Sequence, residues 1–132
     1  MNRLLHTSSS ALLALTLCAV LAVSSFVYLY RLSENSIYHD EAIHAVVVRI
    51  MREGGDWLTM QNGMGLYFRK PPLSFWIRAA VQNAFGENEF TNRIPSAASG
   101  IGTAVLIAWW GWEWTRRRSV ALLAGGLYPL MP

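Results

Sequence analysis

Ala11–Tyr30 reads ALLALTLCAVLAVSSFVYLY, and the reading of these residues decides the fold. None of them is charged, and the uncharged stretch widens outward from Leu4 to Tyr30, bounded by Arg3 and Arg31. A helix needs about 20 apolar residues to cross the hydrocarbon of a bilayer, so this run predicts a first transmembrane span over 11–30. A cleaved secretory signal is the rival reading, because Met1-Asn2-Arg3 is a short basic start and the Ala-Val-Ser stretches offer cleavage sites. Its apolar region should run about 7 to 15 residues. The present run is longer and ends in Phe26, Tyr28 and Tyr30, which predicts a retained anchor.

Farther along, Ile94–Trp112 is also uncharged and closes on Trp109, Trp110, Trp112 and, just beyond, Trp114. Indole rings gather at membrane–water interfaces, so 94–112 reads as a second span. A third apolar run, 119–132, follows Arg116-Arg117-Arg118 and stops before it is long enough to cross. The composition agrees: of 132 residues 53% are hydrophobic and only 14% charged, with mean hydropathy +0.27. Soluble domains carry roughly one quarter charged residues, so a water-soluble domain is the wrong class. Cys18 is the only cysteine. It can form no internal disulfide, and Leu17 stands where a lipoprotein signal needs a small residue.

Orientation follows from the cations nearest the spans. The Arg116–Arg118 cluster lies in a very short connection, and such loops stay cytoplasmic. The expected topology therefore has the N-terminus inside, 31–93 as an outer, periplasmic or extracellular loop, 113–118 as a cytoplasmic turn and 119–132 as the start of a third span, in a bacterial inner (plasma) membrane. The fold class is all-α: two complete transmembrane helices, a truncated third, and an outer loop with two amphipathic surface helices. The net charge of +3 reflects this topology, and no basic-aromatic ladder of the kind that grips single strands is present. No nucleic-acid partner is expected; membrane lipid is.

The loop 31–93 holds seven of the eight acidic residues. Asp40 is a good N-cap residue, Gly54-Gly55 a good stop, and Ile43, Val46, Val47 and Ile50 follow i, i+3, i+4, i+7; these predict a helix near 41–53. Pro71-Pro72 suits a first turn, and Leu73, Trp76, Ile77, Ala80, Val81 and Ala84 keep helical spacing to Gly86, with Arg78, Gln82 and Asn83 off the stripe. These predict a helix near 72–85. Between the two, Trp57–Lys70 with Gly63 and Gly65 reads as an irregular connector able to approach a substrate closely.

His39-Asp40-Glu41-Ala42-Ile43-His44 concentrates two histidines and two carboxylates. Metalloprotease-type helices place their histidines four apart, whereas His39 and His44 are five apart and diverge by about 140° on a helix; no metal site is assigned. Asp40 and Glu41 instead read as adjacent carboxylates just outside a span, able to accept a proton or orient a hydroxyl, and Asp40 also reads as a helix cap. Arg69-Lys70-Pro71-Pro72 sets two cations before a rigid helix start, suited to a lipid phosphate or to plain surface anchoring. Arg93, Arg49 and Arg52 carry the same two readings.

The ordered series Asp40-Glu41, Gly55-Asp56-Trp57, Tyr67-Phe68-Arg69-Lys70-Pro71-Pro72, Trp76, Phe85-Gly86 and Arg93 resembles the N-terminal part of the membrane glycosyltransferases of the aminoarabinose transferase and dolichyl-phosphate-mannose protein mannosyltransferase type, in the glycosyltransferase C superfamily. The resemblance covers about residues 10–115. It implies a multi-span enzyme that moves a sugar from a polyprenyl-phosphate carrier to a lipid or protein acceptor at the outer face, as in lipid A modification or protein mannosylation. It implies Asp40 and Glu41 as the catalytic carboxylates. Lys70, Arg69, Arg93 and Trp76 become substrate-binding residues, with Lys70 on the carrier phosphate and Trp76 bordering the polyprenyl chain.

Such chemistry needs a base for the acceptor and cations for the departing phosphate. No cofactor is called for beyond the lipid-linked sugar donor, and a divalent metal stays open. Two departures from the aminoarabinose transferases, Arg69 where an acidic residue commonly precedes the lysine and Ala42-Ile43-His44 where Thr-Arg-Tyr commonly follows the acidic pair, leave the sugar and acceptor open. Whole family members have many more spans, so the chain reads as an N-terminal fragment, inactive alone. The alternative is a small non-enzymatic membrane anchor or assembly subunit, in which Asp40 caps, Lys70 touches headgroups and the paired helices hold a partner.

Overall fold

The computed structural model describes residues 2–30, 32 and 39–131, with side chains from Ser10 onward and without that of His39. Arg31, where the outer loop is expected to begin, and Pro132, at the far bound of the third apolar run, lie outside the described residues. The described residues are helical: α1 (Asn2–Leu29), α2 (His39–Gly54), α3 (Leu73–Phe85), α4 (Glu89–Thr115), α5 (Arg118–Leu127) and a final 3₁₀ turn, Tyr128–Leu130. They include no β-strand, only an isolated antiparallel bridge between Gln61 and Leu66. The helices fall into two compact units, 1–30 with 96–132, and 31–95.

In the first unit the helices are apolar on the outside. Ser10–Leu29 and Glu89–Thr115 are each long and apolar enough to cross a membrane, and Leu15, Phe26, Leu106, Trp110 and Trp114 point outward. Where the helices meet, the residues are small. Val20, Ala104 and Ala108 form the buried centre, with Leu17, Val105, Leu122 and Tyr128 around them. Gly125 of α5 is buried among them. Without water to reward burial of apolar surface, membrane helices associate by close backbone approach through such residues. Thr16 and Ser24 are fully buried in α1, and their hydroxyls donate to the carbonyls of Leu12 and Val20 at 2.7 Å, so neither polar group is left unsatisfied.

α4 is longer than the predicted span 94–112, beginning at Glu89 and ending at Thr115. Its early start has a local cause. Asn88 Oδ1 accepts from the Thr91 amide at 2.9 Å while Thr91 Oγ1 accepts from the Asn88 amide at 3.0 Å, a reciprocal cap that satisfies first-turn donors. Arg93 therefore lies on the helix and not before it, and Pro95 is tolerated inside.

The second unit is α2 packed on α3 with the connector closed over them. Its core is Val47, Val48 and Met51 from α2, Met60 and Tyr67 from the connector, and Phe75 and Ala79 from α3, with Ile43, Trp57 and Trp76 packed against it. The buried faces are rotated from the predicted stripes. Val46 is exposed and Val48 buried; Leu73 and Ile77 are exposed while Phe75, Ala79 and Gln82 are buried. The reason is that each helix must face both its partner and the connector, and Phe75 meets the Tyr67 ring edge-on at 5.9 Å between centroids. α2 begins at His39, so Asp40 is in the first turn and not at the cap. A carboxylate there still faces the positive end of the helix dipole.

Candidate functional site

The connector is built by local hydrogen bonds. The Gly55 amide returns to the Met51 carbonyl at 3.1 Å and the residue takes φ +69°, a conformation that only glycine adopts without strain. Asp56 then accepts from the amides of Leu58 and Thr59 at 3.0 and 2.9 Å, which holds its carboxyl below the usual carboxylate range. The Tyr67 amide donates to the Met60 carbonyl at 2.8 Å and the Asn62 amide to the Gly65 carbonyl at 3.1 Å. This hairpin returns the chain so that Phe68-Arg69-Lys70 runs back to the start of α3.

The return brings Lys70 to Asp40. Lys70 Nζ lies 4.0 Å from Asp40 Oδ2, and the Asp40 side chain is 83% exposed. Lys70 and Arg69, with Leu58, Met60, Phe68, Pro71 and Pro72, line an open cleft of about 430 Å³. A cleft with two cations on one wall and apolar side chains on the others suits a phosphate carried on a hydrocarbon.

Glu41 is differently engaged. Its two carboxylate oxygens accept from Nε and Nη2 of Arg93, both at 2.9 Å, and Arg93 Nη1 donates to the Leu32 carbonyl at 2.7 Å. Bidentate pairing of this kind fixes orientation as well as charge. The pair ties the first turn of α2 to the second turn of α4, and only 12% of the Arg93 side chain is exposed. Arg93 is thus set on Glu41 and is not among the residues that line the Arg69–Lys70 cleft. Trp76 is half-buried against the core, and its indole N–H donates to the Trp57 carbonyl at 2.6 Å. Arg49 and Arg52 both pair with Glu87, and Arg52 also donates to Asn83 and Gln82 at 2.8 and 3.2 Å, bracing α2 on α3.

Two residues join the site that pattern reading did not place there. His44 lies one helical turn after Asp40 and sets its ring edge-on to Phe75, 5.2 Å between centroids. Burial, and then the charges of Arg78 and Lys70, push its imidazole below the usual histidine value against the opposing pull of Asp40 and Glu41. Arg78, half-buried on α3, is itself lowered by burial and held up by the Glu41 charge. The i, i+4 step from Asp40 to His44 was a usable signal; Arg78 offered none. Among the described residues no group of three or more His, Cys, Asp or Glu stands together as a metal-ligand cluster.

Residues 18–131 match the family described as dolichyl-phosphate-mannose-protein mannosyltransferase. Among curated proteins, the undecaprenyl phosphate-alpha-4-amino-4-deoxy-L-arabinose arabinosyl transferase of Aeromonas salmonicida (strain A449) is 35% identical over 103 residues, 76% of this chain and 19% of that protein. The protein of the same name in Yersinia pestis (strain Pestoides F) is 34% identical over 129 residues, 96% of this chain and 22% of that one. The arabinosyl transferase 2 of Sodalis glossinidius (strain morsitans) is 32% identical over 111 residues, 83% of this chain and 20% of its own length. The chain spans about a fifth of the length of these relatives. No solved structure matches it.

Proposed function

The chain belongs to the dolichyl-phosphate-mannose-protein mannosyltransferase family, and from that membership we propose that it forms the outer-face acidic and cationic site of a membrane glycosyltransferase. The donor is a sugar on polyprenyl phosphate. The relatives' names favour undecaprenyl phosphate carrying 4-amino-4-deoxy-L-arabinose, and the acceptor is a lipid hydroxyl or phosphate, as in lipid A modification, with a protein hydroxyl as the other case. The N-terminus is cytoplasmic and the loop 31–93 faces the periplasm, oriented by Arg116–Arg118.

In this reading the donor phosphate enters the cleft beside Lys70 and Arg69, drawing Lys70 away from Asp40. The Asp40 carboxylate is then free to take the acceptor proton as the acceptor oxygen attacks the anomeric carbon. The bond from that carbon to the phosphate oxygen breaks, and the polyprenyl phosphate leaves as an anion against the lysine and arginine. Glu41 acts through Arg93 as a positioning residue that fixes the helix turn bearing Asp40. The observation that carries the reading is the Lys70–Asp40 apposition at 4.0 Å, which joins at an exposed surface an acid and a cation far apart in the sequence.

The test is transfer of radiolabelled sugar from the undecaprenyl-phosphate donor in membranes holding the complete enzyme. Asp40→Asn should lower the rate by about 10²–10⁴-fold, the range for removal of a general base, with little change in donor KM. Lys70→Met should raise donor KM. Near wild-type transfer by a stably inserted Asp40→Asn protein would show that Asp40 is not the base.

A further inference from the structure

We propose that the hairpin between α2 and α3 is a membrane-contact element whose apolar tip rests in an anionic lipid surface. Within it Leu58 is 82% exposed, Met64 90%, Leu66 62% and Phe68 68%. These exposures do not come from a loose segment. Met60 and Tyr67 are buried in the core on either side of the tip, the Asp56 and Asn62 side chains each cap the turn that follows them, and Gln61 bridges Leu66. The fold therefore holds four large apolar side chains out of its own core by a rigid frame.

Charge names the occupant. From Trp57 to Gly86 the sequence has no Asp or Glu, while Arg69 and Lys70 stand directly beside the apolar tip. Asp40 stands beside Lys70, and Asp56 stands at the base of the hairpin. The hairpin from Trp57 to Lys70 itself carries two cations and no acid, and an apolar tip with such a flank fits the boundary between acyl chains and anionic headgroups, where hydrophobic burial and Coulomb attraction add. A water-facing loop gains nothing from such a pattern. The two membrane-length helices of the same chain make a lipid surface available to it. The inference rests on membrane residence; Leu58, Phe68, Arg69 and Lys70 also line the cleft proposed for the donor, so the test is placed at Met64, which does not.

The experiment places a nitroxide at Met64→Cys in a background with Cys18 and every other cysteine of the complete protein replaced by serine, with Glu53→Cys as an exposed control on α2, in that protein reconstituted in vesicles of phosphatidylethanolamine and phosphatidylglycerol. Collision of the label with oxygen, which concentrates in lipid, is compared with collision with a water-soluble nickel chelate. The label at Met64 should meet oxygen more often than nickel, and the label at Glu53 the reverse. In vesicles of phosphatidylcholine alone the Met64 ratio should move toward nickel; an unchanged ratio would overturn the preference for anionic lipid. Nickel access at Met64 equal to that at Glu53 would put the hairpin in water. A label shielded from both reagents would put protein over it, and either result would overturn the proposal. Met64 makes no core contact, so the substitution leaves the fold in place.

Discussion

Asp40 and Glu41 are neighbours in sequence with unlike surroundings, and the difference divides the roles proposed for them. Asp40 is open to solvent beside a cation 4.0 Å away, whereas Glu41 is held by a bidentate guanidinium. A group that must exchange protons with a substrate has to be reachable, and one that fixes a helix turn has to be tied. His44 completes this cluster, facing Asp40 and Glu41 from its own helix, Lys70 from the connector and Arg78 from α3. Its imidazole is held below 6.5 in the folded protein, so the unfolded chain binds the proton first as pH falls. Stability of the unit 31–95 should therefore be complete above about 6.5 and decline as pH drops below that value toward the lowered one. Unfolding of the protein in detergent micelles across this range checks it: the decline should flatten in His44→Gln. An unchanged slope in that variant would assign the titration to another group. Asp40, Glu41 and Lys70 were singled out as candidates because each sits in a short run of matching chemistry, and the structure sets Lys70 beside Asp40. The Glu41–Arg93 tie was not legible, since the partners are brought together only by tertiary folding.

Among the elements, α5 is sensitive to small changes in size at one glycine and not at the next. A Cβ added at Gly125 would lie 2.7 Å from the Ala108 Cβ, 2.8 Å from the Ala104 carbonyl oxygen and 2.9 Å from Val20 Cγ1, whereas one at Gly126 would meet nothing within 4 Å. The backbone oxygen cannot give way as the end of a side chain can. Gly125→Ala should destabilise the protein by about 1–3 kcal/mol, the usual cost of overpacking, while Gly126→Ala stays within about 0.5 kcal/mol as an open surface change. Thermal unfolding of the two variants in the same detergent separates these outcomes, and equal midpoints would mean that α5 shifts freely. The contrast also shows what periodicity can and cannot specify. Helical spacing predicted helices near 41–53 and 72–85; α2 covers the first range and α3 runs from Leu73 to Phe85 with Pro72 as its cap, because period depends on the element alone. The buried face depends on what packs against it: Gln82 is buried where it accepts from Arg52, and Ile77 is left outside.

For the whole molecule the governing pattern is the placement of charge along the chain. Seven of the eight acids lie between Arg31 and Arg93, and three arginines crowd into the connection from α4 to α5. That connection is a tight turn: the Arg116 amide donates to the Trp112 carbonyl at 2.7 Å and Arg116 takes φ +53°. A turn so short cannot carry a folded domain across a membrane, so its cations control its side. In the same cysteine-free background, Glu53→Cys should therefore react with a membrane-impermeant maleimide added to intact spheroplasts, and Arg117→Cys only after permeabilisation. Changing Arg116, Arg117 and Arg118 together to alanine should give a mixed population in which both sites label partly. The outcome bears on the proposed chemistry, in which the acceptor, the donor phosphate and the Asp40–Lys70 pair must share one side of the bilayer. Labelling of Arg117→Cys from outside would put that pair on the cytoplasmic face and remove the outer-face transfer reaction, whatever the Asp40 variant does to the rate.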